Sequence, residues 1–141
     1  MNGERLKEYF ITLPVYFPKG HVHGGKQTDF EESFTSYDKI HTIKERYSVW
    51  AKRIDNVISG NAVLKVCVVN SSRKIILRTL TNKNCVGYEK LEDVLESPYN
   101  NLDLVAKHEG LYLEDYLNWV EIISKKEPAI VIHFTGFRYR K

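Results

Sequence analysis

The sequence has few of the residues that cross-link or interrupt a small fold. Of its 141 residues only two are cysteines and four are prolines, and the formal net charge is only +3. Two cysteines are too few for the disulfide framework of a small secreted domain. No run approaches the ~18 apolar residues of a membrane-spanning helix, and no internal repeat is visible. Collagen, coiled-coil, membrane-spanning and disulfide-rich classes are therefore excluded.

Targeting signals are equally scarce. The apolar run Tyr9–Phe17 follows a charged segment, as in a signal peptide, but Pro14 interrupts it and no small-x-small cleavage site follows. Cys67 lies in an apolar run and is predicted to be a buried free thiol, whereas Cys85 follows a turn. These features predict a cytoplasmic protein without structural disulfides.

The residues that are present are typical of one soluble globular domain. The chain is 43% hydrophobic and 28% charged, which argues against disorder. A length of 141 residues fits a single domain over residues 1–141, with an N-terminal extension and loop over residues 1–30. The weak positive charge permits a nucleic-acid partner but does not demonstrate one.

Hydrophobic periodicity predicts a chain in which strands flank helices. The predicted helices are Glu45–Ser59, Leu102–His108 and Leu113–Ser124, with a short helical turn at Phe30–Phe34. The predicted strands are Tyr9–Tyr16, Ala62–Val69, Lys74–Leu80, Val86–Tyr88 and Ala129–Phe137. Strands at both ends and no alternation of strand and helix indicate an α+β fold with a small closed or nearly closed sheet.

The long loop Pro18–Asp29 holds two incomplete motifs. The run from Gly20 to Lys26 resembles a phosphate-binding loop, but Gln27 stands where a metal-binding serine or threonine is needed. His21 and His23 could begin a zinc site, but no further ligands follow at a recognised spacing. We therefore expect no metal and no cofactor, and a flexible loop that could instead contact another protein.

The segment Lys39-Ile40-His41-Thr42-Ile43-Lys44 has two interpretations. In the first, Thr42 caps the following helix and forms a capping box with Glu45, leaving Lys39 and Lys44 as solvated charges. In the second, Lys39 and Thr42 place an ammonium group and a hydroxyl group on one side of a turn, where they could form part of a site. The residues alone leave both interpretations open.

This segment resembles the lysine–x–x–threonine–isoleucine–arginine motif of the ASCH family, a branch of the PUA-like superfamily. Later segments follow the family in order: Glu109-Gly110, the helix from Leu113, and the strand Val131-Ile132-His133-Phe134. The resemblance covers about Asp38–Phe137. The chain departs from the family at Lys44, which replaces the arginine and loses its bidentate pairing with phosphate.

The resemblance implies a small PUA-like β-barrel with flanking helices. It also implies a cleft between the Lys39 motif and the segment that carries Glu109, where several ASCH proteins are thought to bind RNA or nucleotides. One bacterial branch hydrolyses N4-acylated cytidines; by this resemblance Thr42 would be the nucleophile, Lys39 would activate it, and Glu109 would assist proton transfer. A threonine hydroxyl needs such a neighbouring base to become nucleophilic.

The expected function is RNA or nucleotide binding through this cleft. Amidohydrolysis of a modified nucleoside and protein interaction through Pro18–Asp29 are the alternatives. Besides the three catalytic candidates, the residues predicted to contact nucleic acid or nucleotide are Lys26, His41, Lys44, Arg46, Arg138, Tyr139 and Arg140. The interleaved cations and rings of the C-terminal tail suit phosphate pairing and base stacking. The oligomeric state stays open.

Overall fold

The computed structural model describes residues 6–97, 100–125 and 127–139. Within these residues the chain is a mixed fold of six strands and five α-helices. The elements run in this order: β1 (Lys7–Thr12), α1 (Phe30–Thr35), β2 (His41–Lys44), α2 (Tyr47–Ile58), β3 (Ala62–Asn70), β4 (Arg73–Leu80), β5 (Gly87–Lys90), α3 (Leu91–Glu96), α4 (Leu102–Glu109), α5 (Leu113–Ile123) and β6 (Ile130–His133).

The strands form two three-stranded sheets, of order β1-β3-β4 and β2-β6-β5. In the first, β1 runs parallel to β3 and β4 pairs antiparallel to it. In the second, β6 is the central strand, and all four of its residues are buried. The α+β class is confirmed, whereas no closed barrel appears among the described strands, so the PUA-like barrel stays a prediction.

The register of the second sheet determines which side chains share a face. His41 and Gly87 both pair with His133, and Thr42 and Tyr88 both pair with Ile132. Successive side chains of a strand point to opposite faces. His41 and His133 therefore lie on one face of this sheet, and Thr42 lies on the other.

The helix after the Lys39 segment is confirmed, but the predicted cap is wrong. The prediction was Glu45–Ser59 and the observed helix is α2, which buries Ala51, Ile54 and Val57. Its N-cap residue is Arg46 in the left-handed conformation, and Thr42 lies in β2 instead. Pairing of β2 with β6 supplies more hydrogen bonds than a local cap could, so tertiary structure overrides the capping pattern.

The first strand and the last strand are shorter than predicted. β1 ends at Thr12, before Pro14, and β6 ends at His133 because the chain after Phe134 turns back onto the sheet.

The helix predicted from Leu113 is observed as α5, where Trp119 is buried and Leu117 is exposed. In the described part of the chain, none of the helices combines the length and apolar character that crossing a membrane requires.

Candidate functional site

An ion pair between Lys39 and Glu109 lies at the centre of the fold. The Lys39 ammonium is 2.9 Å from Glu109 Oε2 and donates a 2.6 Å hydrogen bond to the Glu109 carbonyl. The ring of Phe30 lies 4.0 Å from the same nitrogen. The side chains are 0% and 2% exposed. The protein's own groups thus surround this ammonium, and the Lys39 and Glu109 side chains contact each other directly.

Local structure explains why Glu109 points inward. Helix α4 begins at an Asn101 cap and buries Val105, Ala106 and Glu109, which share one helical face. Gly110 then ends the helix in the left-handed conformation. A side chain at Gly110 would lie 2.9 Å from the Ser33 hydroxyl, so a glycine lets this turn pass closely over Lys39.

The Glu109 carboxylate satisfies three donors. Besides Lys39, it accepts hydrogen bonds from the backbone N–H of Ile43 at 3.0 Å and from His41 Nδ1 at 2.8 Å. Burial would raise the pKa of Glu109, but the Lys39 charge and the His41 hydrogen bond outweigh this and lower it. Burial lowers the pKa of Lys39, against the opposing Glu109 charge. The carboxylate is therefore ionised, and it covers the outer edge of strand β2.

A chain of hydrogen bonds leads from Glu109 toward the surface. Burial lowers the pKa of His41 to about 4, so its ring is neutral and its Nδ1–H donates to Glu109. His41 Nε2 must then accept, and it does so from the Tyr139 hydroxyl at 2.7 Å. The same hydroxyl accepts from His108 Nδ1 at 2.7 Å. His108 is partly exposed, so this chain of hydrogen bonds connects Glu109 with the surface.

A second buried pair adjoins this chain, and the sequence reasoning missed it. His133 Nε2 donates to Glu89 Oε2 at 2.7 Å, and the Tyr139 N–H donates to the same oxygen at 3.0 Å. Glu89 lies in β5 and His133 in β6, on the face that also carries His41. Polar residues inside otherwise apolar strands were the available sign, because buried polar groups are normally partnered.

Thr42 does not join Lys39 and Glu109. The register places it on the opposite face of the sheet from His41, and within the described residues its hydroxyl makes no hydrogen bond to either partner. Lys44 shares the Thr42 face and donates to the Thr12 carbonyl at 2.7 Å. Burial lowers the pKa of Lys44 to about 8. The structure thus brings together two of the three catalytic candidates, and their roles stay predictions.

The remaining predicted residues are dispersed. Lys26 and Arg46 are exposed, Lys26 within the loop Pro18–Asp29 and Arg46 at the start of α2. Arg138 donates to the carbonyls of Thr135, Phe137 and Cys85, and Arg140 lies outside the described residues. Tyr139 does not project freely from a tail, because its hydroxyl bridges His41 and His108. Its predicted part in base stacking stays a prediction.

The loop Pro18–Asp29 is docked on the protein. His21 Nε2 lies 2.9 Å from the Asp115 carbonyl, and His23 Nε2 lies 3.0 Å from the Asp115 carboxylate. The Val22 N–H donates to Asn118. Over residues 6–97, 100–125 and 127–139, no group of three or more histidine, cysteine or acidic side chains is arranged to hold a metal ion.

Among the open surfaces that the described residues form, three differ clearly in charge. A basic groove of about 520 Å³ between β1 and α2 is lined by Lys7, Glu8, Tyr9, Phe10, Val49, Lys52 and Arg53. A cleft of about 900 Å³ lies between α2 and β5 (the α2–β5 cleft), and a cleft of about 930 Å³ lies beside the loop (the loop cleft). The basic groove has three cations and one carboxylate, whereas carboxylates outnumber lysine and arginine in both clefts.

Comparison of the chain with protein-family models, with curated proteins and with solved structures found no match. The likeness to the ASCH motif therefore stays a resemblance, and the function must be argued from the geometry.

Proposed function

We propose that the protein binds single-stranded RNA along the basic groove and the adjoining outer face of the first sheet. The observation that carries this proposal is the interleaving of cations and aromatic rings there. Lys7 lies 5.4 Å from the Tyr9 ring centre, and Lys74 lies 4.3 Å from that of Phe10. Arg53 lies 4.7 Å from the Trp50 ring centre. Proteins that bind single strands combine phosphate-pairing cations with rings on which bases stack.

Charge distribution supports this surface over the other two. The net charge of +3 is small, but both large clefts have an excess of carboxylates, which leaves the basic groove as the attractive surface for a polyanion. Lys65 also lies on the sheet face, 5.9 Å from the Phe10 ring centre, where it is paired with Glu8. Phe10 is 37% exposed, which leaves part of its ring for a base.

The proposed surface differs from the cleft that the ASCH resemblance implies. Lys39 and Glu109 are buried against each other, and Lys44 and Tyr139 are engaged by protein groups. We retain the PUA-like barrel and the cytoplasmic location as parts of the proposal. RNA binding itself rests on the groove and requires neither.

Salt dependence of RNA binding tests the proposal. We expect a fluorescein-labelled single-stranded RNA to bind the protein, with an affinity that falls steeply as salt rises. Each neutralised phosphate of a single strand contributes about 0.7 to the logarithmic slope, so three contacts give a slope of about −2. Fluorescence anisotropy at several salt concentrations measures it. The absence of binding at low salt would overturn the proposal.

Matched double variants locate the binding surface. Lys7→Gln with Lys74→Gln should weaken binding and reduce the slope by about 1.4, because two phosphate contacts are lost. Lys26→Gln with Lys107→Gln removes the same charge from the loop cleft and should leave the slope unchanged. Phe10→Leu should weaken binding about tenfold through lost stacking. Equal effects of the two double variants would show that only net charge matters.

Amidohydrolysis is a second candidate, favoured by the one observation that Lys39 and Glu109 do meet. The separation of Thr42 from both weighs against the implied mechanism. Incubation of the protein with N4-acetylcytidine, followed by absorbance, tests the activity. If hydrolysis occurs at a rate unchanged in Thr42→Ala, the chemistry does not use the implied nucleophile.

A further inference from the structure

The α2–β5 cleft combines flat aromatic walls with acceptor groups. Tyr47 from α2 and Tyr88 from β5 meet edge to face, with ring centres 5.8 Å apart. The volume of about 900 Å³ suits a ligand of nucleoside size. Strand β5, an edge strand of its sheet, forms one side of the cleft.

Carboxylates dominate the polar lining of this cleft. Asp55, Glu89 and Asp93 all line it. Asp55 accepts a 2.9 Å hydrogen bond from the Tyr88 hydroxyl. Burial and this hydrogen bond raise the pKa of Tyr88 to about 12, so the hydroxyl keeps its proton and holds Asp55 against the aromatic wall. An ionised carboxylate only accepts hydrogen bonds, and each of its oxygens accepts more than one.

One of the two cations of the cleft is held by the protein backbone. Arg138 donates to three backbone carbonyls and packs so closely on Gly87 that no side chain would fit there. The other cation, Lys90, lies 5.4 Å from the Tyr47 ring centre. With three carboxylates against two cations, the cleft lining is negative overall, which disfavours a phosphate and favours a ligand that donates hydrogen bonds.

We propose that the α2–β5 cleft binds a nucleobase that carries an exocyclic amino group, as cytosine and guanine do. The tyrosine rings supply stacking surface, and the carboxylates accept from the amino group. Carboxylate recognition of the cytosine amino group follows from its donor geometry. Uracil has a carbonyl oxygen in the position of the cytosine amino group. A carbonyl oxygen cannot donate a hydrogen bond to a carboxylate, so uracil should bind more weakly. The choice of a nucleobase rests on the proposed RNA-binding function; the preference for a donor rests on the cleft.

Two ligand pairs that differ by one amino group test this selectivity. The pairs are cytidine with uridine, and guanosine with inosine, titrated into the protein and followed by NMR. We expect cytidine and guanosine to bind about tenfold more tightly than their partners, with saturable shifts of the Tyr47 and Tyr88 resonances. Equal affinity within each pair, or no saturable shift with any nucleoside, would overturn the proposal.

Variants connect binding to the cleft. Asp93→Asn, at an exposed position, should reduce the preference for cytidine over uridine, and Tyr88→Leu should weaken both nucleosides about tenfold through lost stacking. Tyr112→Leu removes a ring that is 84% exposed in the loop cleft and should leave binding unchanged. If Tyr88→Leu lowers thermal stability, its weaker binding could reflect unfolding, and the assignment is then tested by Asp93→Asn alone. An unchanged preference in Asp93→Asn, or equal weakening by Tyr112→Leu, would contradict the assignment.

These measurements separate the cleft from the basic groove. Nucleosides carry no phosphate, so their binding should hardly depend on salt and should be unaffected by Lys7→Gln with Lys74→Gln. RNA binding without nucleoside selectivity would support the groove and reject the cleft. Selective nucleoside binding without salt-dependent RNA binding would support the cleft and reject the groove.

Discussion

The Glu109→Gln variant should lose about 3–5 kcal/mol of the free energy of unfolding. Removing one partner of a buried ion pair leaves the other charge uncompensated in the protein interior, and this is the cost typically measured. In this protein the uncompensated charge is that of Lys39, whose side chain is 0% exposed. The same substitution turns one carboxylate oxygen into an NH2 group. Either the His41 Nδ1–H or the Ile43 N–H then loses its acceptor. Urea denaturation at pH 7 measures the loss.

A double variant distinguishes charge imbalance from general disruption. Lys39→Met combined with Glu109→Gln removes both charges while keeping side-chain volume nearly constant. Replacing both members of a buried pair is often close to neutral, so we expect the double variant to regain at least ~2 kcal/mol relative to Glu109→Gln. If the two substitutions are simply additive, the ion pair contributes no coupling energy.

The surface pair between Lys65 and Glu8 is the matched control. Its atoms are 2.7 Å apart, but the Glu8 side chain is 48% exposed. Solvent-exposed pairs contribute about 0–1 kcal/mol, so Glu8→Gln should have little effect. An effect of Glu8→Gln as large as that of Glu109→Gln would contradict the importance assigned to burial.

The protein should lose about 3 kcal/mol of stability between pH 6.5 and pH 4 through His41 alone. Burial lowers the pKa of His41 from 6.5 to about 4 in the folded state. Below pH 6.5 the unfolded chain therefore binds a proton that the folded protein rejects, which favours unfolding as the pH falls. Above pH 6.5 the unfolded chain no longer gains this proton, so the penalty on the folded state is absent. A pKa shift of about 2.5 units corresponds to roughly 3 kcal/mol in the free energy of unfolding.

Other groups act in the same direction. Burial also lowers the pKa of His108 and of His133, so each of them adds to the loss below pH 6.5. The pKa of Glu109 is lowered from 4.5. Its contribution is therefore present above pH 4.5 and is lost only at lower pH, which separates it from the histidine effect.

Histidine variants assign the pH effect. His41→Gln should lower stability at pH 7, and it should also reduce the slope of stability against pH between 6 and 4.5 by up to one proton. His23→Gln, at a side chain that is 40% exposed, should leave that slope unchanged. Denaturation curves at four pH values measure both. An unaltered slope in His41→Gln would mean that His41 is protonated in the folded protein.

The buried network and the two proposed binding surfaces are distinct parts of the molecule. Lys39, His41 and Glu109 are buried, whereas the rings and cations of the basic groove lie on β1 and α2, with Lys74 of β4 on the adjoining sheet face. Variants in the groove should therefore change RNA affinity at unchanged stability. Variants in the network should change stability first, and we expect any loss of binding to follow unfolding.

Local sequence patterns were sufficient for the long elements. The apolar spacing of Ala51, Ile54 and Val57 predicted helix α2, and the alternation in Ala62–Val69 predicted strand β3. Such patterns succeed because a helix or a strand must bury one face, whatever its neighbours are. The contact of Lys39 with Glu109 followed only from the motif resemblance, since 70 residues separate the two positions along the chain.

Tertiary structure alone decided the identity of the site. Strand β2 pairs with β6 about 90 residues later, and this register sends Thr42 to one face and His41 to the other. The turn after Phe134 carries Tyr139 back between His41 and His108. No local signal encodes these pairings, because they depend on free-energy gains between distant segments. Composition and periodicity were enough to predict the α+β class, but the small net charge concealed a basic groove beside two clefts rich in carboxylates.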